Sequence, residues 1–129
     1  MSSNTTLSIG IVGGTGDLGR GLALRLAKAG YAVLVGSRKP EQAVEAAEAL
    51  TAELASRGVA HEPIEGLDNR SAAERGDVVC FRPPEEMIKL LPELGKLKNV
   101  CMIKRVVALP GDEVHVRGGR LHVNGRAQQ

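Results

Sequence analysis

Residues Ile9 to Arg38 read IGIVGGTGDLGRGLALRLAKAGYAVLVGSR, and this stretch narrows the possible folds more than any other. An apolar run, Leu7 to Val12, breaks at Gly13–Gly16. A helical spacing follows over Asp17–Ala29, with Leu18, Leu22, Leu26 and Ala29 on one face. Gly30 closes that helix as a C-terminal cap, and Tyr31–Val35 forms a second apolar run. Strand, glycine turn, helix and strand in that order make a βαβ unit, which implies parallel strands and a right-handed crossover.

The rest of the chain extends the alternation. Pro40 suits the first turn of a helix that runs to about Arg57 and stops at Gly58. Val59–Ile64 reads as a weak third strand, Ser71–Glu74 as a short helical turn, and Asp77–Phe81 as a strong strand. Glu85–Leu97 has a helical pattern that Pro92 should end or kink near Leu91. Val100–Leu109 is a long strand-like run interrupted by Lys104-Arg105. The tail then changes period. Val114–Arg117 and Leu121–Asn124 alternate apolar and polar residues on either side of Gly118-Gly119, which is the pattern of a β-hairpin. Its apolar face, Val114, Val116, Leu121 and Val123, must be buried on the sheet or in a homodimer.

Composition fits this plan. With aromatics at 2% of 129 residues, the core must be built from Val, Leu, Ile and Ala, as in a parallel sheet covered by helices. A net charge of +2 and the near absence of base-stacking rings argue against a nucleic-acid partner. Met1–Ser8 has no signal-peptide pattern and no apolar run approaches membrane-spanning length, so no membrane partner and a cytoplasmic location are expected. Cys80 and Cys101 sit in apolar runs and read as buried thiols of a reducing compartment. No metal site is expected. His115 and His122 face each other across the hairpin and read as exposed polar residues.

Gly14-Thr15-Gly16-Asp17-Leu18-Gly19 is a G-x-G-x-x-G between a strand and a helix. Gly14 permits the tight turn, Gly16 lets the backbone approach a pyrophosphate, and Gly19 lets helix and strand pack closely. The helix N-terminus offers free N–H groups and partial positive charge to the phosphates. After the second strand, an NAD-selecting acid is replaced by Ser37-Arg38-Lys39. A hydroxyl and two cations suit the extra phosphate of NADP.

These residues closely resemble the N-terminal segment of deazaflavin (coenzyme F-420) dependent NADP reductases over about 7–80, and more loosely to about 103. Asn69-Arg70-Ser71-Ala72-Ala73 through Asp77-Val78-Val79 is similar to a later segment of that family. The resemblance implies a Rossmann domain, NADP, and hydride transfer to or from a deazaflavin. It places Thr15 and the Gly16–Leu18 backbone at the pyrophosphate, and Ser37 and Arg38 at the 2′-phosphate. It brings the segment after Phe81, where Pro83 lies, near the nicotinamide ribose. A single Val-Pro is usual there, whereas this chain has Arg82-Pro83-Pro84.

Met102–Arg126, MIKRVVALPGDEVHVRGGRLHVNGR, instead closely resembles type I signal peptidases around their lysine box, and Gly76–Glu86 resembles the strand before it. That resemblance would make Lys104 a general base. Its Ser-Met-x-Pro nucleophile motif is absent, and Ser71, which lies upstream, sits in the reductase-like segment. The expected architecture is α/β: a Rossmann-like parallel sheet with flanking helices over 1–103, and a β-hairpin extension over 104–129. The expected function is NADP(H) binding in a reductase-related domain truncated in catalytic capacity. A non-catalytic or engineered chimera and a peptidase fragment are the alternatives, and the catalytic residues are left unassigned.

Overall fold

The computed structural model describes residues 7–97 and 101–128. Two of the sequence features above, the N-terminal Met1–Thr6 and the start of the last apolar run at Val100, lie outside these residues. Among these residues the main sheet has five strands in the order β3-β2-β1-β4-β5. They are β1 Ser8–Ile11, β2 Ala32–Ser37, β3 Ile64–Asp68, β4 Val78–Phe81 and β5 Met102–Arg105. The helices are α1 Asp17–Lys28, α2 Pro40–Ser56, α3 Asn69–Arg75, α4 Glu85–Leu90 and α5 Pro92–Lys96. A second, three-stranded antiparallel sheet contains β6 Val114–Arg117, β7 Arg120–Val123 and β8 Arg126–Ala127.

Local sequence explains the element ends. The Gly30 N–H donates to the Ala27 carbonyl and the Tyr31 N–H to Leu26, so α1 ends in a Schellman motif with Gly30 at φ +102°. The same pair of bonds, Gly58 to Ala55 and Val59 to Leu54, ends α2. Val59 is thereby used in the helix cap and packs against the core, which moves the third strand from the expected Val59–Ile64 to Ile64–Asp68.

One face of the main sheet carries α1 and α2. Ile11, Val33, Val35 and Cys80 point there and meet Ala23, Ala27, Ala43, Leu50 and Leu54. The buried stripe of α1 is Gly19, Ala23 and Ala27, not the leucine face read from the sequence. Leu22 and Leu26 flank this stripe and Leu18 is 40% exposed. Small residues win the contact because they let the helix axis approach the sheet. The other face carries α3 in the same manner, since a Cβ on Gly10 would overlap the Ala72 carbonyl.

The sheet is mixed, where uniform parallel pairing is expected from the sequence. β1 pairs in parallel with β2 and β4, and β2 with β3, but β5 runs antiparallel to β4, with Val78 opposite Arg105 and Phe81 opposite Met102. Pro92 causes the difference. It splits the expected helix at Leu91, leaving pieces of 6 and 5 residues that pack on each other. Each is only about 9 Å long or less, too short to carry the chain back along the sheet. The chain re-enters at the end where it left. Lys104 and Arg105 pair with Val79 and Val78, inside the strand that they were expected to interrupt.

The cysteines are a second correction. Cys80 and Cys101 are joined in a disulfide, with Cα atoms 5.9 Å apart and a sequence separation of 21. Apolar context suggested isolated thiols because register, which brings the two together, is not visible in composition. A closed loop of that length stabilises the fold by about 3 kcal/mol in the chain-entropy account.

The tail forms the expected hairpin and one strand more. Gly118-Gly119 have φ of 58° and 75°, and Asn124-Gly125 have 51° and 79°, the paired positive values of type I′ turns. The second turn adds β8. The hairpin does not extend the main sheet. In the single chain Val116 is 70% and Val114 45% exposed, so the hairpin's apolar face is not buried on the sheet.

Two stability measurements follow from this packing. Gly10→Ala should cost about 1–3 kcal/mol in urea unfolding by overpacking against α3, whereas Gly21→Ala, in open space on α1, should gain about 0.5–1 kcal/mol. Equal effects of the two changes would contradict the close α3–β1 contact.

The second concerns acid. The Asp77 carboxylate accepts bonds from the Ser8 N–H at 2.9 Å and the Ser8 hydroxyl at 3.0 Å, which hold its carboxyl below the ordinary carboxylate range, with help from Arg105. A depressed folded-state pKa contributes stability above the unfolded value, and that contribution is lost as pH falls through the folded one. Unfolding free energy should therefore fall below about pH 4. Asp77→Asn should flatten, without abolishing, that slope. An unchanged slope would remove Asp77 from the account.

Candidate functional site

A cleft of about 820 Å³ opens at the C-terminal ends of β1 and β4, where the strand order reverses. Ile11, Gly13 and Leu22 line it together with Phe81, Arg82 and Cys101. Gly16, Asp17, Leu18 and Gly19 form its rim at the start of α1.

The glycines of the turn have three distinct jobs. Gly14 is buried, and a Cβ there would press on the Ile11 carbonyl and the Val35 side chain, each at 3.0 Å. A Cβ on Gly19 would stand 2.5 Å from the Gly14 Cα, so helix and turn touch backbone to backbone. Gly16 has the opposite environment: nothing lies within 4 Å of the Cβ it lacks. It is also the N-cap of α1, with extended backbone and no side-chain cap, so the first N–H groups of a 12-residue helix are left without a side-chain partner. Such an end attracts anions.

Two residues missed by sequence reasoning hold the turn. The Asn69 Oδ1 accepts from the Gly13 N–H at 2.9 Å, tying the turn to α3. The Arg20 Nε donates to the Thr15 carbonyl at 2.9 Å, which fixes Thr15 and sets a guanidinium beside the rim. Arg20 follows the motif immediately and its charge was a usable signal. The Asn69 contact spans 56 positions and has no local signature.

The Ser37-Arg38-Lys39 group lies at the end of β2, outside the cleft lining but joined to the turn. The Gly14 N–H donates to the Gly36 carbonyl at 2.8 Å. Ser37 is buried, and its Oγ accepts from the Lys39 N–H at 3.1 Å. Arg38 and Lys39 are exposed. Asp68 lies opposite Ser37 on β3. Both of its oxygens are turned to Ser71, accepting from the N–H at 2.8 Å and the hydroxyl at 2.7 Å, which lower its pKa. The carboxylate thus caps α3. Pro83 is buried just past the cleft and is not among its lining residues.

The peptidase-like positions are not brought together. Ser71 donates its hydroxyl to Asp68, while Lys104 is exposed on β5 opposite Val79. Among the described residues, no hydrogen bond joins a serine to Lys104. His115 and His122 stack across the hairpin with centroids 5.0 Å apart, and no group of three or more metal-ligating side chains is assembled among the described residues. No helix among them is long and apolar enough to cross a membrane.

Against known proteins the chain shows two likenesses that overlap. It is 45% identical over 103 residues to the F420-dependent NADP reductase of Methanocaldococcus jannaschii, covering 80% of this chain and 44% of that protein. It is 45% identical over 101 residues to the F420-dependent NADP reductase of Methanothermobacter marburgensis, covering 78% of this chain and 43% of that protein. The chain therefore spans less than half the length of these reductases. It is also 44% identical over 52 residues to the signal peptidase I of Leptolyngbya laminosa, covering 40% of this chain and 24% of that protein. The family model described as signal peptidase, peptidase S26, matches residues 22–129. The chain belongs to the peptidase S26 family by that match, and it is a hybrid in sequence, its N-terminal four-fifths being related to F420-dependent NADP reductases.

Proposed function

We propose that this chain binds NADP(H) as a reductase-related Rossmann domain. The observation that carries the reading is the open space at Gly16, on the uncapped N-terminus of α1, at the strand-order reversal between β1 and β4. The residues fit the group. The backbone of Gly16, Asp17 and Leu18 would hold the pyrophosphate, with Thr15 and the Arg20 guanidinium beside it. Gly14 and Gly19 keep the turn low enough for that approach. Ser37, Arg38 and Lys39 would hold the 2′-phosphate, with Arg38 as the forked donor. Asp68 does not compete for that position, because Ser71 occupies both its oxygens. Phe81, Arg82 and the following Pro83 would border the nicotinamide end.

Bound there, NADPH supplies a hydride for a two-electron reduction. The named relatives point to a deazaflavin, coenzyme F-420, as the hydride partner. This chain spans 44% of the first relative. We infer that its own residues bind and orient the dinucleotide. Its final segment, residues 104–129, extends the binding domain without supplying a Ser-Lys peptidase centre.

Calorimetry with NADPH and NADH tests the reading. NADPH should bind the tighter by roughly ten- to a hundredfold, the value of a charge-assisted bond to the 2′-phosphate, and Arg38→Ala should erase most of that preference. Gly16→Val should abolish binding of both dinucleotides while leaving the circular dichroism unchanged, since its side chain enters open space. Parental affinity in Gly16→Val would reduce the motif to a turn. Equal affinities for NADPH and NADH in the parent chain would remove Ser37-Arg38-Lys39 from the site.

A further inference from the structure

Both cysteines of the disulfide are among the residues that line the cleft. Their exposures differ. Cys80 is 2% exposed beside Ile11 in the core, whereas Cys101 is half-buried and open to the cleft. Thiol–disulfide exchange needs an incoming thiolate to reach one sulfur, and the reachable sulfur is the one attacked. Arg82 lines the same cleft. Neither α4 nor α5, which lie between the cysteines, contains a buried residue, so the disulfide and the β4–β5 ladder fasten that stretch to the domain.

We infer that Cys80–Cys101 is a reducible redox couple, opened by a dithiol that enters through the cleft and attacks Cys101. A thiolate of the dithiol forms a bond to the Cys101 Sγ. The Cys80–Cys101 bond breaks, and the Cys80 sulfur leaves with the electron pair and takes a proton. The second thiolate of the dithiol then displaces the Cys101 sulfur, which takes a proton in turn. The dithiol departs as a disulfide, having lost two electrons, and the protein holds two thiols. The ladder from Val78–Arg105 to Phe81–Met102 keeps β5 in place in both states. A dinucleotide on the glycine turn would occupy the cleft that Cys101 also lines and block the entry route. This part rests on the dinucleotide reading above; the couple itself does not.

The test follows dithiothreitol reduction of the full chain, purified without reductant, by quenching at intervals and counting alkylated cysteines by mass spectrometry. Parallel samples contain NADP+ at ten times the Kd found by calorimetry. The Cys80→Ala/Cys101→Ala chain is the blank for labelling. Both cysteines should resist the label before reduction and accept it afterwards. NADP+ should slow that change by about tenfold, the fraction of chain left free at that concentration. Labelling of both cysteines without reductant would overturn the couple. An unchanged rate with NADP+ measurably bound would overturn entry through the cleft and leave the dinucleotide reading standing. Absence of NADP+ binding to the oxidised chain would instead overturn the dinucleotide reading, and protection with it.

Discussion

The contact on which the site depends is backbone against backbone, Gly19 of α1 on Gly14 of the turn. It sets the height of α1 over the sheet, and two bonds keep the turn beneath it, Gly14 to the end of β2 and Gly13 to Asn69 of α3. The turn is therefore held from both faces of the sheet at once. The Gly16 backbone is left standing clear at the head of a helix whose first N–H groups have no side-chain cap. Any side chain at position 19 would lift the helix and release the other constraints together.

How much was legible in the sequence depended on how local the cause is. The helix stops at Gly30 and Gly58, the start at Pro40, the break at Leu91 and the Gly118-Gly119 turn all follow from one or two residues with restricted backbone behaviour, and they are found where the sequence puts them. The glycine turn belongs with them, because strand, motif and helix are contiguous. What was illegible is set by distant partners. Antiparallel β5 needs the length of two short helices to be weighed against the sheet, the third strand is displaced by the use of Val59 in a cap, and the disulfide needs the β4–β5 register. Asn69 illustrates the limit: its motif was visible and its partner was not.

The two likenesses of the chain overlap, and β5 lies within the peptidase S26 match. That strand carries the Lys104-Arg105 pair of the peptidase-like segment, yet it completes the sheet begun by the reductase-like segment. Beyond it the chain forms a separate small sheet with its own turns, and its apolar face is partly exposed. Cys80 belongs to the core cluster and Cys101 packs against it, so their disulfide ties the start of β5 to β4 and the core.

Amide chemical shifts during an NADP+ titration of the isotope-labelled chain test the central claim most directly, because they report on the backbone groups said to hold the phosphates. The largest shifts should fall on Gly16, Leu18, Gly19 and Arg20, with a second group at Ser37–Lys39, and the amides of β6 and β7 should stay still. Shifts confined to the second sheet, or none at saturating NADP+, would contradict a dinucleotide site at the glycine turn.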